Sequence, residues 1–266
     1  MDLELRGKTA IVTGGSRGIG KATARELALE GVDVAIVART KGPLEATALE
    51  LAQESGRRIM PITADTGDDD SVRSMARQAA EAFGHLDILV NCAARPGGAG
   101  PVPTLSEITN DHFWEDMNIK VMGYLRCARE VSPYMRQGGW GRIISISGLA
   151  ARQSGSIIGS MRNVSLVAMT KNLADELGPH GINVTVVHPG ITRTEMVANR
   201  LADQARREGV ALEEVERRAA KGNSVRRIID ARDIAYVVAF LASPKSIAIN
   251  GDVIAAGGGA GRAIYY

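Results

Sequence analysis

The chain has little of what marks specialised proteins. Its 266 residues include two cysteines, Cys92 and Cys127. Two cannot build a disulfide framework or a cysteine metal cluster, and a reducing, cytoplasmic setting is expected. The four histidines, His85, His112, His180 and His188, show no ligand spacing with cysteines or carboxylates, so no metal is expected. No one sign of charge dominates. The net charge of +2 is too small to mark a nucleic-acid or membrane partner. Apolar runs reach only a handful of residues, short of the ~20 that cross a bilayer. The start, Met1-Asp2-Leu3-Glu4-Leu5-Arg6, is acidic and amphipathic and does not read as a signal peptide. Internal repeats and low-complexity linkers are also missing.

What is present is an ordinary core-forming composition. Hydrophobic residues make up 45% and charged residues 23%, which suits a single domain spanning 1–266. Short apolar runs alternate with helical patterns. Strands are expected at Thr9–Val12, Val32–Val37, Ile59–Thr63, Ile88–Val90, Ile143–Ile146 and Ile182–Val187. Helices are expected at Lys21–Glu30, Leu44–Glu54 and Ser71–Phe83, with a further helix before each of the last two strands. The near-continuous Val/Ile content of the strands marks burial on both faces. Such alternation argues for an α/β fold, a single doubly wound Rossmann-type domain with a mostly parallel central sheet. The stretch from Glu195 to Lys221 breaks the pattern. It is rich in Arg, Glu and Ala, is helical by composition and lacks a strand. It reads as a helical excursion over the mouth of the site, or as a solvated helical insertion.

The first strand runs into Thr13-Gly14-Gly15-Ser16-Arg17-Gly18-Ile19-Gly20, and a helix follows. Glycines allow a tight turn and let backbone approach a pyrophosphate. The helix N-terminus supplies free N–H groups and positive dipole for the phosphate charge. At the end of the second strand stands Ala38-Arg39-Thr40. An acid there would grip a ribose hydroxyl and favour NAD. None is present. Arg39, with Arg17 as a second guanidinium, instead suits a 2′-phosphate, so NADP(H) is the expected cofactor and NAD(H) remains possible.

Over nearly its full length the chain resembles the short-chain dehydrogenase/reductase family. Thr13-Gly14-x-x-x-Gly18-x-Gly20 matches that family's cofactor loop, with Gly14, Ser16, Arg17, Gly18, Ile19 and Gly20 in contact positions. Asp65-Thr66 resembles its adenine-contacting pair. Asn91-Cys92-Ala93-Ala94 resembles its Asn-Asn-Ala-Gly motif and places Asn91 and Ala93 at the cofactor. Asn118 matches its active-site asparagine. Pro189-Gly190-Ile191-Thr192-Arg193-Thr194 resembles the segment that holds the nicotinamide carboxamide, through Pro189, Gly190, Thr192 and Thr194. The stretch Asp230 to Pro244, followed by Ile249-Asn250-Gly251, resembles the family's C-terminal part. The resemblance implies an oxidoreductase with a small-molecule substrate that forms homodimers or homotetramers.

One part of that pattern is absent. The family carries a serine after its fifth strand and a Tyr-x-x-x-Lys on the next helix, and the i, i+4 spacing puts tyrosine and lysine on one helix face. Here Gly141-Arg142-Ile143-Ile144 sets the strand register and Gly148 falls in the serine slot. Thr170-Lys171-Asn172-Leu173 sets the helix register, with Gly159 in the tyrosine slot and Asn163 in the lysine slot. The loop between them is shorter than the family's, and its slack can bring Ser147 to the serine's place. No Tyr or Lys lies between Trp140 and Thr170. General acid–base help is worth roughly 10²–10⁴-fold in rate, so its loss changes what the site can do.

Three readings stay open. The first is an NADP(H)-dependent oxidoreductase for a small carbonyl, alcohol or activated alkene, with another proton route. Asn118 can order a water or polarise a carbonyl, and Ser147, Ser160, Arg162 and His188 are candidates for the replacement group. His188 also reads as a packed histidine, Arg162 as a solvent-facing or intersubunit side chain, and Ser160 as a helix N-cap. The second is a non-redox enzyme (lyase, dehydratase or epimerase) on the same scaffold. The third is a nucleotide-binding protein without turnover. Cys92 reads as a small buried residue, since no activating base stands beside it.

Overall fold

The computed structural model describes residues 1–94 and 102–261. Nine strands and nine helices follow one another among them. The order is β1 (Thr9–Thr13), α1 (Gly18–Leu29), β2 (Asp33–Ala38), α2 (Lys41–Ser55), β3 (Ile59–Thr63), α3 (Asp69–Phe83) and β4 (Ile88–Asn91). After it come α4 (Asn110–Met117), a π-helical turn (Asn118–Met122), α5 (Gly123–Gly138), β5 (Gly141–Ile146), α6 (Ile157–Leu177) and β6 (Ile182–Pro189). The chain continues through β7 (Thr192–Arg193), α7 (Glu195–Glu208), α8 (Leu212–Ala220), β8 (Ile229–Asp230), α9 (Ala231–Ala242) and β9 (Val253–Ala256).

Seven strands form one sheet in the order β3-β2-β1-β4-β5-β6-β9, and every pairing is parallel. Side chains alternate faces along each strand. On β1, Ala10 and Val12 pack with α1, α2 and α9 through Leu27, Leu44 and Val238. Ile11, between them, packs the other way, with Met75 of α3, Val131 of α5 and Leu177 of α6. Both faces are covered by helices, which is why the strands read as unbroken Val/Ile runs. The expected doubly wound α/β architecture is the observed one.

The chain builds outward from β1 to β3, then returns to build β4, β5, β6 and β9 on the other side. Strand order therefore reverses between β1 and β4, where sheets of this kind bind ligands. Thr13 lies level with Asn91 across that boundary. The expected helical excursion is α7 and α8, which share a small core of Leu201, Ala205, Val215 and Ile228. The two short strands that flank it, β7 and β8, pair with each other.

Candidate functional site

The glycine loop is built so tightly that only glycine fits two of its positions. Gly14 adopts a left-handed φ of 68°, and a Cβ there would stand 3.0 Å from the backbone of Cys92 and Ala93. A Cβ on Gly20 would lie 2.2 Å from the Gly14 carbonyl oxygen. The loop thus folds onto itself and onto the end of β4. Thr13 Oγ1 fixes that join by accepting the N–H groups of Cys92 (3.1 Å) and Ala93 (3.2 Å). Thr47 Oγ1 donates to the Ser16 carbonyl (3.1 Å) and ties the loop to α2. Ile19 packs against the core beneath it.

Gly18 opens α1, and its N–H donates to Glu195 Oε2 at 3.0 Å. A carboxylate oxygen held at a helix N-terminus occupies ground suited to any anion, phosphate included. Arg17, Arg39 and Thr40 are exposed around this loop, and neither arginine is ion-paired with a described residue. Thr194 lies against Gly18, its methyl 3.3 Å from where a Gly18 Cβ would stand, and it caps α7 by accepting the Val197 N–H. Thr192 Oγ1 donates to the Gly190 carbonyl (3.1 Å), and Gly190 follows Pro189 at the end of β6. The glycine loop and the 189–194 segment, distant in sequence, are brought together.

Asp65 and Thr66 sit past the end of β3. The Asp65 carboxylate accepts the Gly67 N–H (2.8 Å), and the Thr66 carbonyl accepts from Arg126 (3.4 Å). Asn91 is fully buried at the end of β4, and neither atom of its side-chain amide has a partner among the described residues. A buried amide in that state is a standing offer to a polar ligand group.

The strand ends beyond the loop hold the three slots in question. The Ser147 hydroxyl donates to the Asn163 carbonyl (3.3 Å). A Cβ on Gly148 would lie 3.3 Å from Asn163 Nδ2. Ser147, Gly148 and Asn163 are therefore brought together. Gly159 lies in the first turn of α6, where its N–H donates to the Ser156 hydroxyl (3.0 Å). Ser156, not Ser160, is the N-cap. Ser160 stands one turn inside the helix and donates to the Gln153 carbonyl (3.0 Å).

Two other expectations are corrected. Asn118 turns away from this cluster, since its amide donates to the Gly67 carbonyl (3.4 Å) next to the Asp65 turn. Arg162 faces neither solvent nor a free ligand position. Its Nη1 bonds both Asp116 oxygens, at 2.6 and 2.7 Å, and joins α6 to α4. His188 is fully buried, and neither ring nitrogen makes a well-aligned hydrogen bond among the described residues. Desolvation, with Arg152 and Lys120 adding to it, pushes its pKa down to about 4, so the ring is neutral near pH 7. Burial pushes the Cys92 thiol up to about 12, which keeps it from acting as a thiolate.

The residue that the sequence reading missed is Lys120. It is the buried member of the π-helical turn, and its Nζ donates to the Ser147 carbonyl at 3.0 Å. Burial, with Arg162 nearby adding to it, pushes its pKa from 10.5 down to about 7. A signal was available. The buried positions Tyr124, Cys127, Ala128, Val131 and Met135 of α5 follow helical spacing, and one step of four back from Tyr124 is Lys120.

A sequence profile described as short chain dehydrogenase matches residues 8–205. The chain belongs to the short-chain dehydrogenase family. Among its relatives, the short-chain reductase protein NovJ of Streptomyces niveus is 36% identical over 251 residues, covering 94% of this chain and 92% of NovJ. The chloroplastic NADPH-dependent aldehyde reductase 2 of Arabidopsis thaliana is 35% identical, covering 96% of this chain and 94% of its own. The crystal structure of L-sorbose reductase from Gluconobacter frateurii, complexed with NADPH and L-sorbose, superposes with a TM-score of 0.93 at 27% identity. It covers 99% of this chain and 100% of that one. Among the described residues of this family member, no helix is long and apolar enough to cross a membrane.

Proposed function

We propose that the protein is an NADP(H)-dependent oxidoreductase for a small carbonyl, alcohol or activated alkene, with its proton moved by a group other than the family's tyrosine. The observation that carries this is the glycine cradle, where Gly18 N–H already holds a carboxylate, with Arg17 and Arg39 exposed and without an ion-pair partner among the described residues. The residues present fit a dinucleotide. Gly14, Ser16, Gly18, Ile19 and Gly20 would take the pyrophosphate at the α1 N-terminus. Arg17, Arg39 and Thr40 would take a 2′-phosphate. Asp65, Thr66, Asn91 and Ala93 would take the nucleoside side. Pro189, Gly190, Thr192 and Thr194 would take the nicotinamide side. When bound, the nicotinamide supplies hydride chemistry.

The remainder rests on the chain's own groups. Gly148 and Gly159 bring no hydroxyl, Asn163 brings no cation, and the Ser147 hydroxyl is spent on the Asn163 carbonyl. An activated alkene suits such a site, because hydride adds to carbon without a tyrosine at the oxygen. The helices α7 and α8, which start at the Glu195–Gly18 contact, would shape substrate choice. The NADPH named for two of the compared reductases supports the cofactor assignment.

The test is a side-by-side titration of the purified protein with NADPH and NADH, followed by nucleotide fluorescence. NADPH is expected to bind at least about tenfold tighter, the equivalent of ~1.4 kcal/mol, and Arg39→Asp to abolish the difference. Binding of neither nucleotide sinks the reading. A following assay of NADPH oxidation with cyclic enones and matched ketones tests the substrate class. Enones left unchanged while ketones are reduced would remove the alkene.

A further inference from the structure

The end of the sheet holds one ionisable group that the family's pattern does not use. Lys120 is 5% exposed, and its bond to the Ser147 carbonyl is its single hydrogen bond among the described residues. An ammonium has three N–H groups to give, so one acceptor leaves it under-used. The groups that face it come from every neighbouring element. Asp116 of α4 and Arg162 of α6 form an ion pair beside it, and Cys92 lies at the end of β4. His188 of β6 is close enough to feel its charge. Asn163, whose backbone carbonyl takes the Ser147 hydroxyl, carries an Oδ1 that lacks a partner among the described residues. Gly148 and Gly159 place no side chain of their own there. Lys120 therefore stands where β4, β5 and β6 end, the position at which such sheets meet their ligands.

We propose that Lys120 Nζ is the proton donor for reduction in this site. The proposal rests on the oxidoreductase reading above. As hydride reaches carbon, the carbonyl π pair moves to oxygen, which takes a proton from the Lys120 ammonium. The N–H bonding pair stays on nitrogen, and the neutral amine regains its proton from water. For an activated alkene the same proton goes to the enolate. A pKa pushed down to about 7 suits the task, since a donor works best near the operating pH. Its sign fixes the pH dependence. Reduction needs the ammonium and falls as pH rises through about 7, while alcohol oxidation needs the free amine and rises there.

The test compares wild type with Lys120→Met, Lys120→Arg and Lys120→Ala, using a substrate that wild type reduces. Circular dichroism and NADPH fluorescence establish that each variant folds and binds. Both Lys120→Met and Lys120→Arg are expected to bind NADPH within a few-fold of wild type. Both should lose roughly 10²–10⁴-fold in kcat and the pH limb near 7. Added primary amines should restore part of the Lys120→Ala rate. A separate readout needs no turnover: NMR of lysine labelled at Cε, with the Lys120 signal assigned by its absence in Lys120→Met, should titrate near pH 7. A Lys120→Met variant that keeps kcat and the pH limb overturns the proposal alone, as does a Lys120 signal that titrates near 10. A wild type that binds NADPH but reduces neither enone nor ketone overturns the oxidoreductase reading, and the donor with it.

Discussion

At the scale of the residue, a buried lysine costs stability in a way that pH exposes. The Lys120 pKa is pushed from 10.5 to about 7. Between those values the unfolded chain carries a proton that the native chain lacks, so stability rises with pH across the window. Below about 7 both states are protonated and the full cost stands, on the order of a few kcal/mol. Lys120→Met removes this dependence. Urea melts at about pH 6 and about pH 9 should show the variant's advantage shrinking as pH rises. A constant difference would mean that Lys120 is solvated as an ordinary lysine. His188 works at the acid end. Its pKa falls from 6.5 to about 4, so stability is lost as pH drops through that interval, and His188→Gln should flatten the acid limb. His188 was visible in the sequence from its place before Pro189-Gly190. Lys120 was harder to read, because a lysine is almost never fully buried and only the four-residue step back from the buried Tyr124 marks it.

Among the elements, the start of α6 decides whether the missing tyrosine can be put back. The Ser156 hydroxyl lies 2.8 Å from where a Gly159 Cβ would stand, and it holds the Gly159 N–H. Any side chain at 159 must turn Ser156 off its cap, a loss of about 1 kcal/mol. Gly138, the last residue of α5, would place a Cβ in open space. Thermal unfolding should therefore separate two like substitutions. Gly138→Ala should gain up to ~1 kcal/mol, whereas Gly159→Ala should gain nothing or lose. By the same argument, Gly148→Ser with Gly159→Tyr and Asn163→Lys should not rebuild a working site unless Ser156 is also changed. The elements themselves were largely legible. The third strand was read to the residue at Ile59–Thr63, because its alternation ends in turn-forming residues. The last strand, Val253–Ala256, was missed because it is short and only partly buried. The cap was misassigned because two serines flank Gly159 at a distance that sequence alone does not resolve.

For the whole molecule, the doubly wound parallel sheet and the place of the glycine loop followed from the strand–helix alternation, since buried parallel strands announce themselves by unbroken Val/Ile content. Contacts between distant segments were not legible. The meeting of Thr194 with Gly18 and the turning of Asn118 toward Gly67 depend on packing, which carries no local signature. The homo-oligomer implied by the family resemblance has its best support on α6, where Ile157, Met161 and Val164 form one exposed apolar stripe near the exposed Trp114. Light scattering should give a dimer or tetramer, and Met161→Asp with Val164→Asp should shift it toward monomer. A larger mass that is unchanged in the variant would place the interface elsewhere.

The bond from Gly18 to Glu195 has a consequence for the order of events. One N–H cannot serve the protein's own carboxylate and an incoming phosphate at once, so nucleotide entry and release of the front of α7 are rival occupancies of one donor. On the proposed reading, loading the nucleotide first would free the front of α7. Steady-state kinetics should then show compulsory nucleotide-first addition, which Glu195→Gln relaxes toward random order.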